Sequence, residues 1–224
     1  MYSLQDLVLF NIEAWFGLYQ TVNHHYWPLH LVGFVWGVLV VAYPFFAKKQ
    51  LLLNVVFISS TGLWLCCSVV FHLGEYQQLS WVAVYYGWAF IAQAFLLFVS
   101  AFFILRRKQN ITNSLDVNAG YFLLIFALVL VPILGLIEGR DWTSLDVVGI
   151  GPDSTALATI GLILLSIRVQ VLKILLCITP TLWLIISAAT AWPMGLFQGV
   201  VSLFVFLLVM AFLNAVKLHR ARHQ

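Results

Sequence analysis

The stretch GIGPDSTALATIGLILLSI, residues 149–167, joins a backbone break to an apolar run. Gly151 and Pro152 disfavour continuous helix, and Asp153 or a hydroxyl residue after it can cap the helix that follows. The clean apolar part, 154–167, is shorter than the roughly 20 residues that cross a bilayer as a helix. The stretch therefore predicts a broken membrane span or a re-entrant loop, in either case with a helix N-terminus near one membrane face.

The chain around this stretch has the composition of an integral membrane protein. Of its 224 residues, 63% are hydrophobic and 8% are charged, whereas soluble domains carry about 25% charged residues. We therefore predict an all-α bundle of about seven transmembrane helices within a single domain, 1–224, that ends in a basic tail, 217–224. The predicted spans fill 28–216 and are 28–47, 51–73, 81–105, 119–137, 147–167, 174–192 and 194–216.

Residues 1–27 precede the first predicted span and are expected to form an interfacial helix followed by a linker. They lack the basic amino-terminal region of a cleavable signal peptide. Apolar side chains recur at helical spacing, which predicts an amphipathic helix lying along the membrane surface. These side chains are Leu4, Leu7, Val8, Trp15, Phe16 and Tyr19.

Charged residues are divided between the two sides of the seven-span arrangement. Every lysine and arginine except Arg140 falls on one side, and every acid except Asp116 falls on the other. Basic residues in short loops favour the cytoplasmic side. The pattern predicts an external amino terminus and a cytoplasmic carboxyl terminus.

Most histidines fall on the same predicted outer side as the acids. Imidazole and carboxylate together ligate zinc, copper and iron. His72 and Glu75 are three residues apart and share a face if an α-helix continues through them. We therefore predict a divalent transition-metal site formed from His72, Glu75, His25 and His30. The alternative is that these polar side chains only anchor span ends at the interface.

The outer acids also predict binding of a cation or a small polar solute, for transport or sensing. The candidate binding residues are Glu75, Glu138, Asp141, Asp153 and Gln93. The span interiors lack ionisable residues near their midplanes, which disfavours a proton-coupled transporter. There is no glycine-rich phosphate loop, so neither a nucleotide nor a nucleic acid is expected as partner. The expected partner is the lipid bilayer, and a homo-oligomer or a structural subunit of a membrane complex remains an alternative.

Four stretches together resemble a bacterial family of multi-pass membrane proteins known only as a domain of unknown function. They are NHHYWP, VVFH, GWAFIAQAFLLF and GIGPDSTALATIGLILL, in this order along nearly the whole chain. The resemblance implies a bacterial inner-membrane protein and supplies no activity. The family commonly has Pro-Cys-Pro-Thr where this chain has Pro152-Asp153-Ser154-Thr155, so a thiolate ligand is not carried over.

Ser68 and His72 are similar in spacing to the serine and histidine motif of the alkaline ceramidase superfamily. That resemblance implies a zinc-dependent membrane hydrolase. Those enzymes carry further histidines in their seventh span, whereas 194–216 contains none. The hydrolase alternative therefore needs substitute zinc ligands and a carboxylate that activates water. The ligands would come from His24, His25 and His30, and the carboxylate from Glu75, Asp141 or Asp146.

Overall fold

A computed structural model describes residues 10–42, 49–106 and 114–222. Within these ranges the secondary structure is helical apart from an isolated bridge between Val148 and Gly151. The predicted all-α fold is confirmed. The long helices of the described ranges are α1 (Ile12–His25), α2 (Pro28–Ala42), α3 (from Lys49), α4 (Ala83–Arg106), α5 (from Ser114), α6 (Pro152–Ser166), α7 (Gln170–Ala191) and α8 (Gln198–Arg222). Short 3-10 helices span Trp142–Ser144 and Trp192–Met194.

Two of these helices change hydrogen-bonding pattern along their length. α3 is an α-helix over Lys49–Cys66, a π-helix over Cys67–Tyr76 and a final turn over Gln77–Leu79. α5 is an α-helix over Ser114–Ile125, and a short π segment leads into Val131–Ile137. A π-helix bonds each residue to the fifth one along and places more residues in each turn than an α-helix does. Side chains three apart in such a segment therefore do not share a face.

Helices α2 to α8 coincide in position with the seven predicted spans. Fewer than seven of these helices are individually long and apolar enough to cross a membrane. Among the described residues, α3, α4, α5, α7 and α8 are each long and apolar enough to cross a membrane. α1 and α2 together form a sixth candidate that is bent by 86°. The prediction extends the first span to residue 47, and residues 43–48 lie outside the described ranges.

α6 lies at the centre of the bundle. All fifteen of its residues are buried, which explains why the helix has no polar face. It packs closely on α5, because a Cβ at Gly161 would lie 2.8 Å from the carbonyl oxygen of Gly120. The sequence correctly places a backbone break before this helix, since Pro152 is its first residue and Gly151 its N-cap. Glycine has no side chain that could accept from the first N–H groups of α6, so the cap is supplied from elsewhere.

α1 packs against the end of the bundle, and we call that end the α1 end. The bend between α1 and α2 is 86°. Two of the side chains predicted to form the apolar face of α1 contact protein. The Trp15 and Tyr19 rings lie 6.3 and 4.9 Å from the ring of Phe71 in α3. Residues 1–9, with Leu4, Leu7 and Val8, lie outside the described ranges.

Candidate functional site: a buried carboxylate cluster

The connection 138–151 between α5 and α6 supplies carboxylates to the N-termini of two helices. Asp146 accepts hydrogen bonds from the backbone N–H of Asp153 (3.3 Å) and of Ser154 (3.1 Å) in the first turn of α6. Glu138 accepts from the backbone N–H groups of Phe197 and Gln198 at the start of α8. Free N–H groups and the helix dipole favour an anion at a helix N-terminus. The two acids therefore act as helix caps.

Asp153 does not cap its own helix, contrary to the expectation from the sequence. Its carboxylate accepts hydrogen bonds from the Trp183 indole N–H at 2.7 Å and from the Ser187 hydroxyl at 2.8 Å. Both partners belong to α7. The Asp153 side chain is buried, so these bonds join α6 to α7 inside the bundle. The cap function passes to Asp146, whose oxygens also accept from the Ser154 hydroxyl.

α1 covers this cluster at the α1 end. The Tyr19 hydroxyl donates to Asp146 at 3.3 Å. The guanidinium of Arg140 lies 5.0 and 4.8 Å from the ring centroids of Phe16 and Tyr19, within the range of cation–π attraction. The Asn23 amide donates to the carbonyl oxygens of Thr143 and Leu145. The helix is thus fixed to the connection 138–151 by polar bonds as well as by apolar packing.

The buried cluster contains more negative than positive groups. Glu138, Asp146 and Asp153 contribute carboxylates, whereas Arg140 contributes one guanidinium, whose Nε lies 3.4 Å from Glu138. Burial raises the pKa of Asp146 above its ordinary value, and the hydrogen bonds from Ser154 and the charge of Arg140 oppose that rise. The charges of Asp146 and Asp153 in turn act on two buried side chains beside them, Tyr19 and Cys67.

His72 is buried among aromatic rings and away from the predicted co-ligands. Its ring lies 4.4 Å from that of Phe90 and 4.8 Å from that of Trp183. It is completely buried, and neither ring nitrogen has a hydrogen-bond partner. Glu75 points elsewhere, because the π-helix separates residues three apart, and it accepts a hydrogen bond from Gln78.

The other predicted ligands lie apart from His72. His25 is exposed, and the His30 ring nitrogen lies 3.2 Å from the Asn23 side-chain oxygen. In the parts of the chain that the structure describes, no three His, Cys, Asp or Glu side chains are grouped to hold a metal ion. The predicted set of His72, Glu75, His25 and His30 is therefore not assembled into one centre. The physical reason is that aromatic rings enclose His72, whereas His25 and His30 lie on other helices, α1 and α2.

The remaining binding candidates occupy different environments. Gln93 is buried and donates its amide to the carbonyl oxygen of Leu176 at 2.9 Å, which ties α4 to α7. Asp141 is exposed on the connection 138–151, and its side chain caps no helix. Among the predicted binding residues, only Glu138 and Asp153 belong to the buried cluster.

The serine and histidine of the hydrolase alternative do not interact. The Ser68 hydroxyl donates to the carbonyl oxygen of Gly87 at 2.7 Å. His72 has no hydrogen-bond partner at either nitrogen. Activation of a serine nucleophile requires a base within hydrogen-bond reach, so this pair is not arranged for that chemistry.

Sequence reasoning missed part of the cluster. Arg140 was noted only as the exception to the charge pattern, and Tyr19 only as an apolar position of α1. A signal was present, because the run EGRDWTSLDVVGIGPD, residues 138–153, concentrates half of the acids of the chain beside one arginine. Charged residues at such density next to apolar spans are costly unless they pair.

The protein is thus a helical protein with several helices long and apolar enough to span a membrane, and α1 covers its buried carboxylate cluster. The chain belongs to the family of unknown function DUF6064, whose sequence model matches residues 12–223. Neither a curated protein nor a solved structure matches the chain.

Proposed function

We propose that this protein is a bacterial inner-membrane protein that binds one small monovalent cation, a proton or an ion such as Na⁺, at Asp146 and Asp153. The observation that carries the proposal is the burial of both carboxylates at the N-terminus of α6. The neighbouring guanidinium of Arg140 is already paired with Glu138. A buried ion without a counter-charge costs several kcal/mol. One further positive charge at the aspartate pair removes that cost.

The seven-span topology and the orientation form part of the proposal. At the α1 end the described acids outnumber the single arginine, and at the opposite end the described basic side chains outnumber Asp116. The positive-inside rule then supports an external α1 end. α6 is short for a span, but its burial on every side means that none of its residues has to face lipid. The aspartate pair would therefore lie near the outer surface.

The position of α1 favours sensing over transport. Tyr19 on this helix donates a hydrogen bond to Asp146, and its ring faces Arg140. A cation bound at the aspartate pair reduces the negative charge that holds the Tyr19 hydroxyl. Because α1 joins α2 at a sharp bend, a change in this contact alters how firmly the helix packs on the bundle. The packing of α1 on the bundle would thus change with the cation concentration outside the cell.

The pH dependence of stability tests the proton form of this proposal. Because burial raises the pKa of Asp146, the folded protein holds a proton more tightly than the unfolded chain, whose aspartates have a pKa of about 3.9. Stability from that proton is present at low pH and is lost as the pH rises through the raised pKa. We expect the unfolding midpoint in mild detergent to fall as the pH rises above the ordinary aspartate pKa, and Asp153→Asn to reduce that fall because a neutral amide removes the repulsion between the two carboxylates.

Sodium binding is distinguished from proton binding at fixed pH. If Na⁺ is the cation, NaCl raises the midpoint of the wild type above that in choline chloride, because a ligand of the native state stabilises it by mass action. Asp141→Asn, an exposed acid on the same connection, is the matched control and should behave as the wild type. Identical pH and Na⁺ responses in the wild type and in Asp153→Asn contradict the proposal.

A further inference from the structure

A second ion cluster lies at the end of the bundle opposite α1. The Lys173 Nζ is 2.7 Å from one oxygen of Asp116, and the Lys217 Nζ is 3.0 Å from the other. The cluster joins α5, α7 and α8 and carries one more positive than negative charge. Lys173 is buried, whereas the Lys217 side chain is 42% exposed. An exposed ammonium group thus remains available to a further anion.

Two apolar grooves flank α8 beside this cluster. The first has a volume of about 360 Å³ and lies between α7 and α8, with Lys173 in its wall. Its wall extends along α7 from Gln170 to Leu182, which corresponds to about 18 Å at the α-helical rise of 1.5 Å per residue. The second has a volume of about 490 Å³ and lies between α5 and α8. The lining of both grooves is almost entirely apolar.

We propose that an anionic phospholipid binds here, with its phosphate at Lys217 and Lys173 and its acyl chains in the grooves on either side of α8. The grooves supply an apolar surface for the chains, and the excess positive charge lies beside them. Exposed Arg168, Arg220 and Arg222 at the same end add to the attraction for a negative headgroup. This inference is independent of the cation site at the α1 end, since the two clusters share no residue.

A second copy of the chain is a poorer occupant of the same face. A symmetric dimer presents the same patch from both partners, which would bring two positively charged clusters together. An anionic lipid instead complements the charge. A soluble phosphate compound matches the charge but leaves the grooves empty.

The lipid site is tested on the full chain in mild detergent by titration with phosphatidylglycerol, with phosphatidylcholine of the same acyl chains, and with glycerol 1-phosphate. Phosphatidylglycerol should raise the unfolding midpoint more than either alternative. Lys217→Gln should weaken the apparent affinity of the protein for phosphatidylglycerol about fivefold, the factor that one basic residue near an anionic surface supplies. Arg222→Gln, an exposed residue of the same helix, is the matched control and should retain more affinity than Lys217→Gln.

Val209→Trp tests the grooves separately, because the indole fills the groove between α5 and α8 at a position in its wall. This variant should fold and lose the preference for phosphatidylglycerol. Equal stabilisation by phosphatidylcholine or by glycerol 1-phosphate overturns the proposal, as does equal weakening by Lys217→Gln and Arg222→Gln. A dimer that persists in lipid-free detergent and dissociates in Val209→Trp would instead assign the grooves to a second copy.

Discussion

Asp146→Ala should destabilise the protein by about 3 kcal/mol, because several buried donors lose their acceptor together. The substitution leaves the backbone N–H groups of Asp153 and Ser154 and the Tyr19 hydroxyl without the carboxylate that they contact. Loss of a helix cap alone costs about 1 kcal/mol. Removing one of two neighbouring carboxylates relieves repulsion at Asp153, which offsets part of the loss. The unfolding midpoint in mild detergent measures the effect.

Asp141→Ala is the matched control for this substitution. Asp141 lies on the same connection, is exposed, and caps no helix with its side chain. Exposed positions of this kind usually change stability by less than about 0.5 kcal/mol. If the two alanine variants unfold at the same midpoint, Asp146 does not hold the N-terminus of α6.

Gly33→Ala should destabilise the protein by about 3 kcal/mol, at the upper end of the usual cost of overpacking. A Cβ at Gly33 in α2 would lie 2.0 Å from the carbonyl oxygen of Val148. The atoms that this Cβ would meet are all backbone atoms of Val148, so a change of rotamer does not relieve the clash. The segment that leads into α6 must move, and Asp146 moves with it. Thermal unfolding of the variant tests the size of the loss, and the pH response of the aspartate pair should change with it.

Gly62→Ala, on the neighbouring helix α3, should stabilise the protein, whereas Gly33→Ala should destabilise it. A Cβ at Gly62 in α3 meets no atom within 4 Å. Alanine favours the interior of an α-helix by about 1 kcal/mol over glycine, so this variant should unfold at a higher temperature than the wild type. A loss of stability at Gly62 as large as that at Gly33 would show that the clash with Val148 is not the cause.

The two aspartates illustrate how far the sequence predicts the site. Asp153 was identified because it follows a glycine and proline break, and it does lie in the first turn of α6. Its partners on α7, Trp183 and Ser187, are 30 and 34 residues away in the chain. No local pattern distinguishes these two buried residues from the exposed aromatic and small residues of the apolar helices. The cap at Asp146 was missed for the same reason, since the side chain reaches α6 from the preceding connection.

His72 shows that the spacing rule for α-helices fails where the backbone forms a π-helix. The sequence favoured a shared face for His72 and Glu75 on the assumption of α-helical geometry. The π-helix over Cys67–Tyr76 removes that assumption and directs His72 toward Phe90 and Trp183. Residues 67–76 contain no proline and no charge pattern that would predict a change from α-helix to π-helix. The segment packs on α4 and α1, and the His72 ring contacts Trp183 of α7.

The amino-acid sequence is sufficient to predict the helical class, the positions of the apolar helices, the break before α6 and the division of charge between the two ends. These features depend on composition and on patterns within one helix length. Tertiary structure alone decided which charged groups are buried together, because Tyr19 and Asp146 are 127 residues apart and Asp116 and Lys173 are 57 apart. Burial of a carboxylate depends on what surrounds it in space, and only the packed bundle supplies that information.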